Sequence, residues 1–487
     1  MNGTRRIRTL VLGSAIVVGM TVSSIAGQGG PPTGQAAPAG QQGGPGGAGG
    51  PGGRGGGGGR GGAPAVLPDK PTAVSLPNVS AEVTGPGTPF DSSTSLPPGH
   101  DIAHYKYEAK EYFISGNANG KPYSTRIMVR KPSSNGKFSG LVMVEAMHPS
   151  GAAHMFEFTS DYTMDSGHMA VEVVTNFAEL NAHNKERYKD QTISNDQVPE
   201  VLAQVGALVK SKKSGTPFAN LTVRKMVMAG TSATAAILSQ YLPAHMVFRT
   251  PDMQRIYDGF LPMSTGGNMR EVDVPLIQVP TMTEVFAGNV STRADSDEPG
   301  KQYRQYQFAG MAHVDSRDSV RFKPNPCKFD SSQFPVQAYM AVALRNLYDW
   351  VDKGKPAARA ERIAVDGNTD DGSPMALDAN GNAKGGIRNP YVDVPIAQYG
   401  VRNEAAVPPV TNPSKWIADH GAGAPGQMCG LGGFQKPYPK EQLAKLYGNK
   451  KTYQDRVKKS LSDAEKAGWS LPVYRDAILA DSAKVVF

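Results

Sequence analysis

The sequence predicts an α/β fold, a mostly parallel central sheet with helices on both faces. Three features point to it. Short apolar runs alternate with helical patterns, a hairpin signal precedes them, and one apolar strand turns straight into a helix at Gly230-Thr231-Ser232. Strands alternating with helices in this way form units that bury both faces of a sheet.

Taken in order, the runs Tyr105–Ser115 and Tyr123–Arg130 flank Asn117-Ala118-Asn119-Gly120. Asn-Gly between alternating apolar runs is the residue pair of a tight antiparallel hairpin. Continuous apolar runs follow at Leu141–Ala146, Met169–Val174, Lys225–Ala229, Ile256–Pro262, Pro275–Val279 and Arg304–Phe308. Runs of that kind are expected of parallel strands buried on both faces. Between them, 195–212 lines up Val198, Val201, Leu202, Val205, Leu208 and Val209 as one helical stripe. Further helices are expected at Ala233–Leu242 and Val336–Val351, and beyond about residue 355 Gly/Asn/Asp-rich turns lead into a helical C-terminal extension.

The N-terminal region reads differently. Arg5, Arg6 and Arg8 precede an apolar run from Leu10 to Val22, and Ser24-Ile25-Ala26 supplies small residues for cleavage. Residues 1–26 therefore read as an export signal, to periplasm or medium. The run falls short of the roughly 20 apolar residues a membrane helix needs. An uncleaved anchor is the alternative, and no stable membrane insertion is expected after cleavage. Residues 27–64 are nearly all Gly, Pro, Gln and Ala, which bury too little apolar area to fold, so a flexible tether is expected. Residues 65–487 are left as one folded domain.

The net charge of +8 does not point to nucleic acid. Several basic residues lie in the signal and tether, and the C-terminal lysines alternate with Glu441, Asp455, Asp463 and Glu465 as on a solvated helix face. The two cysteines, Cys327 and Cys429, could form one disulfide in an exported chain, with two buried thiols as the alternative.

The chemistry is read from the segment 225–238. An apolar strand ends at Gly230, Ser232 follows, and small helix formers begin at once, which is the setting of a nucleophile elbow. Thr234 stands where such elbows carry a second glycine, so the helix is expected to stand slightly further from the strand. His313, in a loop after the run Arg304–Phe308, is placed to take the serine proton and return it to a leaving alkoxide. Glu284, just past Pro275–Val279, is the preferred acid to orient that imidazole, and Asp258 is its rival. For an oxyanion hole the expected donors are the backbone N–H of Ala233 and that of Met147 or His148. Ser150, in the same loop, reads as a turn serine.

Several segments together resemble the exported bacterial "alpha/beta hydrolase domain-containing" family. They are Phe138–Glu145, Gly230–Thr234, Tyr257–Leu261, Ala309–His313, Gly385–Pro395 and the stretch from Cys429 to Gly433. The resemblance implies an α/β-hydrolase fold with Ser232 as nucleophile and His313 as base. It departs where the family tends to carry Glu-x-Asp, since Met282-Thr283-Glu284 leaves Glu284 the only carboxylate there. Substrate is left open by it.

No metal or cofactor is expected. Asp366–Gly372 and Asp378–Asn382 lack the Gly and Glu positions of a calcium loop and read as hairpin turns. The histidines show no zinc spacing. Methionines are common, among them Met147, Met155, Met263, Met282 and Met311, several beside the proposed site; most read as core filling, and any that lined a pocket would favour an apolar acyl or aryl group. The leading function is hydrolysis of a carboxylic ester, small or polymer-borne. A polysaccharide acyl esterase and a catalytically inactive binding protein are the alternatives.

Overall fold

The computed structural model describes residues 65–317, 325–366, 374–406 and 425–487. The expected signal and tether lie outside the described residues, as does most of the turn at 366–372.

Nine strands form the main sheet: β1 (Asn78–Val79), β2 (Tyr107–Ala118), β3 (Lys121–Pro132), β4 (Leu141–Ala146), β5 (Met169–Val173), β6 (Lys225–Thr231), β7 (Gly259–Met263), β8 (Leu276–Gln278) and β9 (Tyr303–Gln305). Their order across the sheet is β9-β8-β7-β6-β4-β5-β3-β2-β1. The strands from β4 onward run parallel to their neighbours among themselves, whereas β1, β2 and β3 pair antiparallel, and β3 also lies antiparallel to β5.

The hairpin forms for the reason its sequence gives. Asn119 and Gly120 adopt φ of 50° and 71°, and Ala118 pairs directly with Lys121 across a two-residue turn. Two positive φ values twist the turn in the sense that matches the strands.

The sheet separates two large apolar clusters by the two-residue period of its strands. In β6, Val227 and Ala229 face one cluster while Met226 and Met228 face the other. The first is closed by helix Val336–Lys353, whose stripe includes Ala338, Met340, Leu344 and Leu347. The second is closed by helices Val198–Lys210 and Ala233–His245. The five methionines Met147, Met155, Met263, Met282 and Met311 are all buried.

The C-terminal extension is helical at Lys440–Tyr447, Lys450–Lys466 and Arg475–Ala483. Its lysines pair along exposed faces, as Lys451 with Asp455 and Lys459 with Asp463. The turn Asp378–Asn382 joins two short bridged segments, with Leu377 opposite Ala383. Among the described residues no helix is long and apolar enough to cross a membrane.

Cys327 and Cys429 form a disulfide with Cα atoms 5.6 Å apart, closing a loop of 102 residues. Both are buried, and Met428 and Val314 pack with them. A closure of that length restricts the unfolded chain, an effect worth typically 2–4 kcal/mol. Replacing both cysteines with serine should lower the stability by about that much, and reductant should lower the unfolding temperature of the natural chain but leave the variant's unchanged in thermal melts.

Candidate active site

The elbow between β6 and helix Ala233–His245 places Ser232 at φ 54° and ψ −118°, outside the regions a residue with a Cβ ordinarily adopts. Gly230 permits the turn: a Cβ there would lie 2.5 Å from the carbonyl oxygen of Thr234. Thr234 stands where such elbows carry a second glycine. Its hydroxyl turns inward, accepting from the Thr231 amide at 2.8 Å and donating to the Thr231 carbonyl at 3.0 Å, and so ties strand to helix. The amide of Ser232 is anchored on the Met263 carbonyl of the adjacent strand β7 at 3.1 Å.

His313 arrives by the loop after β9. Gly310 makes that loop possible, with φ 95° and a neighbouring Phe334 ring 2.9 Å from where a Cβ would stand. The loop is fixed to the segment after β8 by two bonds of Met282: its amide donates to the Met311 carbonyl, and its sulfur accepts from the Gly310 amide. Ser264 donates to the backbone carbonyl of His313 at 2.9 Å.

The three side chains meet. His313 Nε2 lies 2.9 Å from Ser232 Oγ, and His313 Nδ1 lies 2.6 Å from Glu284 Oε1. His313 and Glu284 are buried, whereas Ser232 is half-buried and Ala233 exposed. Glu284 has a second task as N3 residue of the short helix Met282–Phe286. Its other oxygen accepts from the amide and the hydroxyl of Thr281, both at 2.7 Å. Burial alone would raise the pKa of this carboxyl group, yet the His313 ring and the Thr281 donors hold it below its usual value. It is therefore an acceptor for an Nδ1–H, which leaves Nε2 with a lone pair toward the serine hydroxyl. A hydroxyl so placed can lose its proton to the ring as it attacks a carbonyl carbon.

Asp258 is not part of this group. It precedes β7 at the opposite end of the sheet, where its carboxylate takes the Met226 amide and the Lys210 ammonium, both at 2.9 Å. The strand begins at Gly259, three residues later than its apolar pattern suggests, and that shift leaves Asp258 at the sheet's N-terminal edge.

The loop after β4 lies beside the elbow, because β4 and β6 are adjacent and parallel with Glu145 opposite Ala229. The two amides expected to face an oxyanion are engaged elsewhere: Met147 donates to the Val173 carbonyl and His148 to the Ala152 carbonyl. Further along, Ser150, Gly151, Ala153, Met155 and Phe156 also donate to described acceptors. The Ala152 amide faces the His148 carbonyl across the same bridged turn, so among the described residues only the His154 amide of this loop has no acceptor facing it. The Ala233 amide, first in its helix, likewise has no intrahelical acceptor. The sequence puts this loop beside the elbow, as the strand order does; which of its amides are engaged depends on the turn within it.

A cavity of about 570 Å³ lies elsewhere, between the loops carrying Arg359 and Arg388 and the helix carrying Arg456 and Lys459. No group of His, Cys, Asp and Glu among the described residues is arranged to hold a metal ion.

None of the curated proteins compared with the chain matches it. Among solved structures, it is similar to the poly(3-hydroxybutyrate) depolymerase LpqC of Bordetella parapertussis, at 10% identity over 54% of this chain and 97% of that one, with a TM-score of 0.31. It is also similar to a cold-adapted esterase from an Arctic intertidal metagenomic library, at 11% identity over 41% and 84% of the two chains, with a TM-score of 0.24. The model of a family described as "Alpha/beta hydrolase domain" matches residues 74–480. With the family covering that much of its length, the chain belongs to the alpha/beta hydrolases.

Proposed function

We propose that this protein is an exported serine hydrolase that cleaves a carboxylic ester through an acyl-enzyme. The observation that carries the reading is the unbroken hydrogen-bonded chain from Ser232 Oγ through His313 to Glu284, set on a strained elbow. Backbone strain of this kind persists only where the surroundings enforce it, and it concentrates at functional sites.

In this mechanism Ser232 Oγ attacks the ester carbonyl while its proton passes to His313 Nε2. Glu284 keeps the ring in the required tautomer and offsets the charge of the imidazolium. The oxyanion faces the Ala233 amide together with the open amide of His154, and two such donors supply several kcal/mol to the transition state. Collapse expels the alkoxide, which takes the proton from His313. Water then repeats the sequence against the acyl-enzyme and releases the acid. The ester is carried by a small molecule or a polymer, and no cofactor enters any step.

A fluorophosphonate probe should label the natural chain on Ser232, and Ser232→Ala should abolish labelling and lower kcat on p-nitrophenyl acetate by at least about 10³-fold. An unlabelled natural chain would leave an inactive binding protein as the better account.

The acid assignment has its own test. Glu284→Gln should lower kcat by roughly 10²- to 10⁴-fold through the wrong imidazole tautomer. Asp258→Asn should leave kcat within about twofold and act on stability alone, since it loses the Lys210 ion pair. The reverse pattern in steady-state kinetics would reassign the acid.

Export rests on the basic start, apolar run and small residues of 1–26. Expressed in a bacterial host, the protein recovered outside the cytoplasm should begin at Gly27 on N-terminal sequencing; recovery of an intact Met1 in the membrane fraction would favour the uncleaved anchor.

A further inference from the structure

A second serine–histidine–glutamate chain lies in the loop after β4. Ser150 Oγ is 3.0 Å from His154 Nε2, and His154 Nδ1 is 2.7 Å from Glu157 Oε2. On its other side the same hydroxyl is 2.7 Å from His148 Nδ1. The Ser150 amide also donates to that nitrogen, at 3.1 Å, so His148 Nδ1 is an acceptor. The two rings stand 4.7 Å apart, and His154 stacks on Phe158.

This arrangement is not a second nucleophile site. Ser150 sits inside a turn with ordinary φ, and the nearest amides are engaged, Gly151 with the His148 carbonyl and His148 with the Ala152 carbonyl. An oxyanion on a carbonyl attacked by Ser150 would meet no donor from either of them. What the chain does is cross-link the loop: residues 148 and 150 are joined to 154 and 157 through one hydroxyl. The loop's remaining supports are Glu145, which takes the amides of Met155 and Phe156, and Ser92, which takes that of Ala153. The amides of Met147, His148 and Gly151 go to backbone carbonyls and Ala152 is bridged to His148, so among the described residues the His154 amide is the one in this loop with no acceptor facing it.

We propose that Ser150, His154 and Glu157 are positioning residues that hold this turn in the shape presenting the His154 amide to the oxyanion. The inference rests on the hydrolase reading above and deepens it by naming what fixes the second donor. A turn held by one hydroxyl relaxes when that hydroxyl is removed, and a displacement near 1 Å at an oxyanion donor lowers the rate by up to about 10²-fold. Such a loss falls on the transition state alone.

The test uses the full chain with p-nitrophenyl acetate as substrate and a boronic acid as transition-state analogue. Ser150→Ala and His154→Gln should lower kcat by about tenfold or more, with KM within about twofold and an unfolding temperature within a few degrees. The boronic acid should weaken by the same factor as kcat/KM falls, and Ser150→Thr, which restores a hydroxyl, should recover most of the loss. Unchanged kcat in both variants overturns the proposal, as does a rate loss that Ser150→Thr fails to recover. Fluorophosphonate labelling of Ser150 in a Ser232→Ala background also overturns it, by making this serine a nucleophile. A natural chain labelled at Ser232 alongside indifferent Ser150 variants removes this inference alone; a natural chain labelled nowhere removes the hydrolase reading with it.

Discussion

The left-handed backbone at Ser232 costs of order 1–3 kcal/mol, and much of the surrounding structure can be understood as what keeps it there. Strand β6 supplies its approach, and Gly230 lets the following helix come within contact of the strand. Thr234 ties the turn from inside, while the Met263 carbonyl on β7 holds the serine's own amide. These groups belong to elements already packed on both faces of the sheet, so the turn cannot relax without disturbing the core. The result is a hydroxyl at the C-terminal end of the strands, where the loops after β8 and β9 also end.

A second constraint lies beneath the loop after β4. Arg126, Arg130 and Arg187 are buried and meet Glu111, Glu172 and Asp91 in one connected network. Removing an ion from water costs several kcal/mol even inside a relaxed protein, so such a network holds only when its members are well paired. Here the arginines also donate to the carbonyls of Val83, Pro86, Gly87 and Phe90, which straps the N-terminal segment over the sheet edge. That strap delivers Ser92 to the Ala153 amide. Glu145, beside Glu172 and buried, is pushed up to about 8 by its desolvation and by that like-charged neighbour, while two amides pull in the other direction. The network thus bears on the same loop as Ser150, from below.

Much of this was legible from residue patterns. The strand-to-helix junction at 225–238 could be read because apolar strand, glycine, serine and small helix formers are contiguous. His313 and Glu284 could be nominated because each follows a strand-like run. Where contacts between distant segments decide, the sequence was silent. Asp258 lies next to an apolar run as Glu284 does, and only the strand's true start sends it to the other edge. Met147 and His148 occupy the expected loop, but their amides are claimed by Val173 and by Ala152 across a turn. The arginine network carries no local signature, since its partners are separated by 15 to 76 positions. Ser150 read as a turn serine, and it is one; the signal missed was the i, i+4, i+7 spacing with His154 and Glu157.

The two Ser–His–Glu chains allow a separation of causes within one molecule. Their hydrogen-bond lengths are nearly equal, 2.9 and 2.6 Å at Ser232 against 3.0 and 2.7 Å at Ser150. If a relay of that kind were sufficient to make a nucleophile, both serines would qualify. They differ in what surrounds the hydroxyl. Ser232 stands on a strained elbow with an open amide directly after it, and among the described residues one ring, that of His313, contacts its oxygen. Ser150 lies in a relaxed turn between two rings, with the amide of the following residue already engaged. A base beside a hydroxyl supplies a route for the proton, but the charge that develops on the substrate needs donors fixed in advance. Such donors come from the backbone conformation, and on the proposed reading that is what separates the strained serine from the one whose side-chain pattern is suited to holding a loop in place.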